Sequence, residues 1–193
     1  MQLTTREPGM PVADVRQLIA QAQEGSHEAF RILVDRHMKQ AYNLAYGFVL
    51  DHDDAEDVAQ ESFVRAFQSL RSFRFESEFS TWLYRIVHNV ALNRVRQKKT
   101  KSGREVDLDY PGADRADDET KVTEQADMRL HLERALHELP TLQRSVVLLR
   151  HLEGLSTRQV SQILGCTEGT VKTHLHRGLK KMKKILDYLK RGT

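Results

Sequence analysis

Lys172, Thr173, His176 and Arg177 stand close together in the segment EGTVKTHLHRGLKKMKK, residues 168–184. Their chemistry is hydrogen-bond donation. Lys and Arg can donate to guanine O6 and N7, and Thr can donate or accept at a base edge. In the same segment Val171, Leu175, Leu179 and Met182 recur every three or four residues, which places them on one helix face. The four donors, with Lys180, Lys183 and Lys184, fill the remaining surface. Such a run is either a solvated face or a surface for a polyanion.

The other candidate chemistry is metal binding, suggested by nine histidines. His174 and His176 are two residues apart, so on a helix their rings diverge, and no nearby acid or thiol completes a ligand set. Cys166 is the single cysteine, which excludes an intrachain disulfide and a Cys-based zinc site. No nucleophile–base–orienter set and no phosphate-cradling glycine loop is visible. The expectation is a protein without catalytic residues, metal or cofactor.

What must position the four donors lies just upstream, in LSTRQVSQILGCTEGTVKTHL, residues 155–175. Ser156 and Gln159 form a capping box. Val160, Ile163 and Leu164 give that helix a buried face, and Gly165 suits a left-handed helix end. Thr167 can cap the next helix, with Glu168 at its positive end. Cys166 fits as a small apolar plug between the two helices. This is a helix-turn-helix pattern, in which the second helix enters the major groove.

A second cluster reads FRFESEFSTWLYRIVHNVALNRVRQKK, residues 73–99. Ser80 or Thr81 can cap a helix that buries Leu83, Ile86, Val87, Val90 and Leu92. Arg85, Asn89, Asn93, Arg96 and Lys99 face outward. Aromatics beside cations suit single-stranded nucleic acid, whose bases stack on rings; ordinary core packing would equally account for Phe73, Phe79 and Trp82. A third segment, DDAEDVAQESFVRAF, residues 53–67, opens with an Asp53–Glu56 capping box. Its acids complement the helix dipole, and a calcium loop is a poor fit because Glu56 occupies the required glycine position.

These segments sit in an all-α chain of 193 residues with no convincing period-2 pattern. Residues 99–124 combine Gly, Pro, Ser and dense acid, which is linker composition. The expected organisation is an N-terminal arm over 1–12, a helical domain over 13–98, a flexible acidic linker over 99–124 and a second helical domain over 125–190. Net charge is only +3, yet the charge is segregated: acidic over 51–61, basic over 85–104, acidic again in the linker, basic at the C-terminus. The start lacks an apolar targeting segment, and the longest aliphatic run, Val146–Leu149, is far too short to span a bilayer. A soluble, cytoplasmic protein is expected.

The order of the motifs resembles the extracytoplasmic-function group of bacterial sigma factors, in the sigma-70 family. The resemblance rests on DAEDVAQESF, FRFESEFSTWLYRIVHN and LPTLQRSVVLLRHLEGLSTRQVSQILGCTEGTVKTHLHRGLKK, and covers roughly residues 15–187. It implies two helical domains, σ2 and σ4, and RNA polymerase core as partner through its β′ clamp helices and β flap. Promoter DNA is implied as the second partner and an anti-sigma factor as a third. By the same resemblance Asp57, Gln60 and Glu61 dock on polymerase. The loop and helix carrying Ser77, Phe79, Ser80, Thr81, Trp82, Arg85, Asn89 and Arg96 open and read the −10 element. Lys172, Thr173, His176 and Arg177 read the −35 element. Some relatives carry Arg at the position of Lys172 and an aromatic at that of His176, and a point-charge Lys reads guanine less rigidly than bidentate Arg. The alternative is a helix-turn-helix regulator that binds DNA without polymerase; it leaves residues 73–99 unexplained.

Overall fold

The computed structural model describes residues 14–101 and 124–191. The expected arm and nearly all of the expected acidic linker lie outside the described residues. The N-terminal module comprises α1 (Val15–Gln23), α2 (His27–Val49), α3 (His52–Ser69), a 3₁₀ turn (Leu70–Ser72) and α4 (Phe79–Lys101). The C-terminal module comprises α5 (Glu124–His137), α6 (Thr141–Val147), a wider π turn (Leu148–Leu152), α7 (Thr157–Leu164) and α8 (Glu168–Arg191). No strand occurs among the described residues.

The N-terminal helices start and stop where local chemistry demands. Ser26 Oγ accepts from Ala29 N at 3.2 Å at the head of α2. Leu50 ends α2 in the left-handed region, φ 53°, and its N–H reaches Tyr46 O. That turn lets the chain reverse within two residues. The acidic helix accordingly starts earlier than expected: Asp51, not Asp53, is its cap and accepts from Asp54 N at 2.9 Å. Helix α4 also begins ahead of the expected Ser80 or Thr81 cap. Phe79 is its first residue because its ring is needed in the core, where it packs against Phe73 and Trp82. Leu33, Leu44, Phe48, Val58, Leu83 and Val87, all essentially inaccessible, fill the centre of this module.

In the C-terminal module α8 lies against α5, α6 and α7. Its buried stripe is Val171, Leu175, Gly178 and Met182, rather than one that includes Leu179, which is 40% exposed. A Cβ on Gly178 would sit 3.0 Å from Val147 Cγ2, so glycine is what permits α8 to approach α6. Arg144, on α6, is 3% exposed. Its Nε donates to Leu136 O at 2.9 Å and its Nη2 to His137 O, so the guanidinium caps the C-terminus of α5. Burial lowers its pKa to about 10, against the opposing pull of Glu138, so it stays protonated near neutral pH.

The two modules do not stand apart. Val146, Leu148, Leu149, Leu155, Val160, Ile163 and Val171 belong to the same buried cluster as the N-terminal core. The helix-turn-helix therefore rests on α4 as well as on its own module.

Candidate nucleic-acid interface

The helix-turn-helix is built as its residues dictate. Ser156 Oγ accepts from Gln159 N at 3.2 Å, and Gln159 Oε1 accepts from Ser156 N at 2.9 Å, closing the capping box. Gly165 ends α7 at φ 64° with its N–H on Ser161 O. Thr167 Oγ1 then accepts from Thr170 N at 3.1 Å and starts α8. Cys166 packs half-buried against the core, between the helices. With Val171 inward, Lys172, Thr173, His176 and Arg177 are all exposed, and none of their side chains makes a hydrogen bond or ion pair among the described residues. Lys180, Lys183 and Lys184 continue that exposed side. The surface is cationic, with its donors available to a groove.

A second surface surrounds the head of α4. Phe73, Phe75, Phe79 and Trp82 form a cluster with ring centroids 5.1 Å (Phe73–Phe75), 5.2 Å (Phe73–Trp82) and 5.6 Å (Phe79–Trp82) apart. Phe79 is buried and Trp82 half-buried, while Phe75 is exposed at the tip of the loop with φ 58°. Ser77 on the same loop and Ser80 in the first turn of α4 are half-buried. They line an open pocket of about 410 Å³ whose walls include Ile19, His37, Phe73 and Phe79. A ring-lined pocket, here with Arg16, Glu76 and Glu78 also in its lining, can hold an unstacked base. His37, which no motif in the sequence singles out, enters this wall from α2. Its ring lies 5.3 Å from that of Phe79, and burial, assisted by Arg36, lowers its pKa.

Further along α4, Arg85, Asn89 and Arg96 are exposed, as expected. The basic block is nevertheless divided. Arg94 donates to Asp57 Oδ2 at 2.7 Å, and Lys98 pairs with Asp54. Both cations are thus turned toward α3 and away from the Arg85–Asn89–Arg96 side. Thr81 is only 3% exposed, with Gln159 Nε2 3.5 Å from its hydroxyl. Arg85 Nη2 donates to Gln162 O. Two residues of the expected −10 set are therefore held by α7.

The third set lies on α3. Asp57, Gln60 and Glu61 are exposed along one side, with Val64 and Phe67 continuing it at 55% and 40% exposure. Asp57 is bound to Arg94, and Glu61 pairs with Arg65 at 2.6 Å. Among the described residues there is no cluster of His, Cys, Asp and Glu able to hold a metal, and no helix is long and apolar enough to cross a membrane.

Residues 33–101 match the family model of Sigma-70 region 2, and residues 129–182 that of Sigma-70, region 4. The chain is 32% identical over 182 residues to the ECF RNA polymerase sigma factor SigW of Bacillus subtilis, covering 89% of this chain and 96% of that one. It is 34% identical over 184 residues to the RNA polymerase sigma-H factor of Pseudomonas aeruginosa, covering 91% and 95%. Among solved structures it is similar to CnrH in complex with the cytosolic domain of CnrY. That match has a TM-score of 0.66 and 26% identity, and covers 91% of this chain and 99% of that one. The same fold occurs in the sigma factor RpoE of Bartonella quintana, solved with the anti-sigma factor NepR, at a TM-score of 0.64 and 21% identity over 82% of this chain and 96% of that one.

Proposed function

The chain belongs to the extracytoplasmic-function group of RNA polymerase sigma factors, and from that premise we propose how its surfaces divide the work of promoter recognition. As a sigma factor it directs core polymerase to specific promoters and aids their opening. The −35 element is read in the major groove by Lys172, Thr173, His176 and Arg177. The −10 element is captured as a single strand: a base enters the pocket lined by Phe75, Ser77 and Ser80, Trp82 supports that pocket through Phe73 and Phe79, and Arg85, Asn89 and Arg96 follow the backbone. Phe79 acts from beneath, as the wall on which the loop rests. Asp57, Gln60 and Glu61 meet the β′ clamp helices, with Val64 and Phe67 adding apolar area to the contact, and the C-terminal module meets the β flap.

One observation carries this reading. A donor-bearing recognition helix and a ring-lined pocket at the head of a basic helix occur in one chain, each in the segment that matches its own sigma region. A polymerase-independent regulator would need the first and has no use for the second. The protein catalyses nothing itself and acts in the cytoplasm, where polymerase and promoters are. An anti-sigma factor is the third partner, as NepR is for the sigma factor RpoE.

The test is run-off transcription with purified core polymerase on a promoter library, beside gel shifts of the free protein on the selected promoters. The expected result is core-dependent transcription with little specific binding by the free chain, because the two half-sites gain affinity from being joined on polymerase. Tight, sequence-specific shifts without core, and no transcription with it, would favour the regulator.

A further inference from the structure

The structure assigns α1 to the −10 site, with Gln23 as the residue that positions its loop. This rests on the pocket reading given above and extends it to a helix that precedes residue 33, where the match to region 2 begins. Gln23 is the last residue of α1 and is half-buried. Its Nε2 donates to Leu70 O and to Phe73 O, both at 2.9 Å, across 47 and 50 positions of sequence. One side-chain amide thus gives both of its protons to the stem of the loop that carries Phe75 and Ser77.

Those two carbonyls are where a clip has most effect. Leu70 opens the 3₁₀ turn, and the turn closes with Phe73 N donating to Leu70 O at 3.0 Å. Gln23 holds the oxygens at both ends of that turn, so the direction in which the chain leaves it is fixed. Two residues on, Phe75 stands at φ 58°. A bulky side chain keeps that left-handed backbone only where its surroundings hold it. Phe73 is buried and meets the rings of Phe75, Phe79 and Trp82 at 5.1, 6.2 and 5.2 Å. Whatever fixes Phe73 fixes the whole ring cluster.

Helix α1 also supplies lining. Val15, Arg16 and Ile19 reach the pocket together with Phe73, Phe75 and Ser77. Leu18, Ile19 and Ala22 root the helix in the core, so Gln23 acts from a rigid support. A pocket already in place when its base arrives has less freedom to lose on binding. With a loop free to wander, only the correctly placed fraction binds, and apparent affinity falls in proportion.

Trp82, the chain's single tryptophan, packs against Phe73 and makes the clip measurable. Gln23→Met keeps the length of the side chain and removes both donors; Gln23→Glu replaces them with an acceptor. In the full chain, with unchanged helical circular dichroism, both variants should shift Trp82 emission to the red and open it to acrylamide quenching. Gln23→Lys restores a donor able to serve two carbonyls, and should return emission and quenching to the parent's values. Function is read in holoenzyme. The probe is a labelled single strand carrying the −10 element of a promoter recovered by the run-off selection, either intact or with an abasic site at each position in turn. The parent should lose affinity at one position above all. Gln23→Met should bind the intact strand about tenfold more weakly and be nearly indifferent to that abasic site. Its binding to core and to −35 duplex should match the parent's.

If Gln23 served fold stability alone, Gln23→Met would melt earlier while Trp82 emission and strand binding stayed as in the parent, and that result overturns the proposal. So does a change at Trp82 without any loss of strand binding. A parent indifferent to every abasic position would instead defeat the pocket reading itself, and the Trp82 spectra would still decide whether Gln23 places the loop.

Discussion

His88 Nε2 on α4 and Ser145 Oγ on α6 lie 3.0 Å apart, a buried hydrogen bond between the two modules. Ser145 donates its only proton to Thr141 O at 2.9 Å, so its oxygen accepts, and neutral His88 is the Nε2–H tautomer. Nδ1 then faces the Asn89 side-chain amide at 3.4 Å.

Burial is the main cause that lowers the His88 pKa, opposed by the Asn89 contact and reinforced by the charge of Arg96. A histidine with a depressed folded pKa contributes stability above its ordinary value near 6.5. That stability is lost as pH falls below that value toward the folded one. Glu153, raised by burial, acts in the opposite sense, since its stability contribution shrinks as pH rises from about 4.5. The comparison that isolates His88 is the melting midpoint of the parent against His88→Gln between pH 7.5 and 5.5. The parent should fall further than the variant; parallel curves would show that His88 is not buried neutral.

Arg144→Met should cost about 3 kcal/mol or more in denaturant unfolding. It leaves buried carbonyls at Leu136 and His137 without their charged donor and removes the reach to Phe48 O. Arg144→Lys keeps the charge but not the planar fork, and should recover only part of the loss. A loss below about 1 kcal/mol for the Met variant would mean that the carbonyls find other partners.

Gly178→Leu should destabilise the chain by about 1–3 kcal/mol through overpacking where α8 crosses α6. Gly178→Ala adds only a methyl 3.0 Å from Val147 Cγ2 and gains helix propensity, so its effect should be much smaller. Thermal denaturation of the two variants separates a close helix crossing from a merely solvent-facing glycine.

That crossing also marks where the sequence could be read and where it could not. The Ser156–Gln159 box, the left-handed Gly165 and the Thr167 cap were legible because each depends on residues three or four positions away. The outward donors of α8 followed from the same local phase. Choosing Leu179 for the buried stripe went wrong because hydrophobicity cannot reveal that α6 crosses at Gly178 and leaves no room for a side chain. Asp51 displaced Asp53 as the cap because Leu50 turns left-handed, which nothing in its residue type suggests. His37 and Arg144 acquire their roles from partners tens of residues away: Phe79 and Phe48. No spacing rule reaches that far.

On α3, Gln60→Ala with Glu61→Lys should weaken binding to core polymerase about tenfold or more, since a reversed charge at an interface acts repulsively. Arg94→Ala should act differently. It releases Asp57 from its 2.7 Å bond and raises the negative charge of the same face without altering Gln60 or Glu61. A labelled-core titration of the three proteins distinguishes these effects. Normal core binding by the double variant together with lost promoter recognition would move this surface from polymerase to DNA.

Arg177 and Lys183 allow base reading to be separated from phosphate contact on a single helix. Both are exposed on α8, but Arg177 is nearer the N-terminal end, which enters the groove, and Lys183 is more than a turn further on. A guanidinium paired with a guanine edge discriminates by about 1–3 kcal/mol. Arg177→Ala in holoenzyme should therefore weaken the preferred −35 sequence by that amount and leave mismatched sequences nearly unaffected, narrowing the ratio between them. An ammonium on a phosphate is blind to sequence. Lys183→Ala should weaken all −35 sequences alike and make the slope of log K against log salt shallower by about 0.9. The measurement is −35 duplex binding at several salt concentrations, on the preferred sequence and a scrambled one. If Arg177→Ala changed the salt slope but not the sequence ratio, Arg177 would be a phosphate contact, and base reading would fall to Lys172, Thr173 and His176.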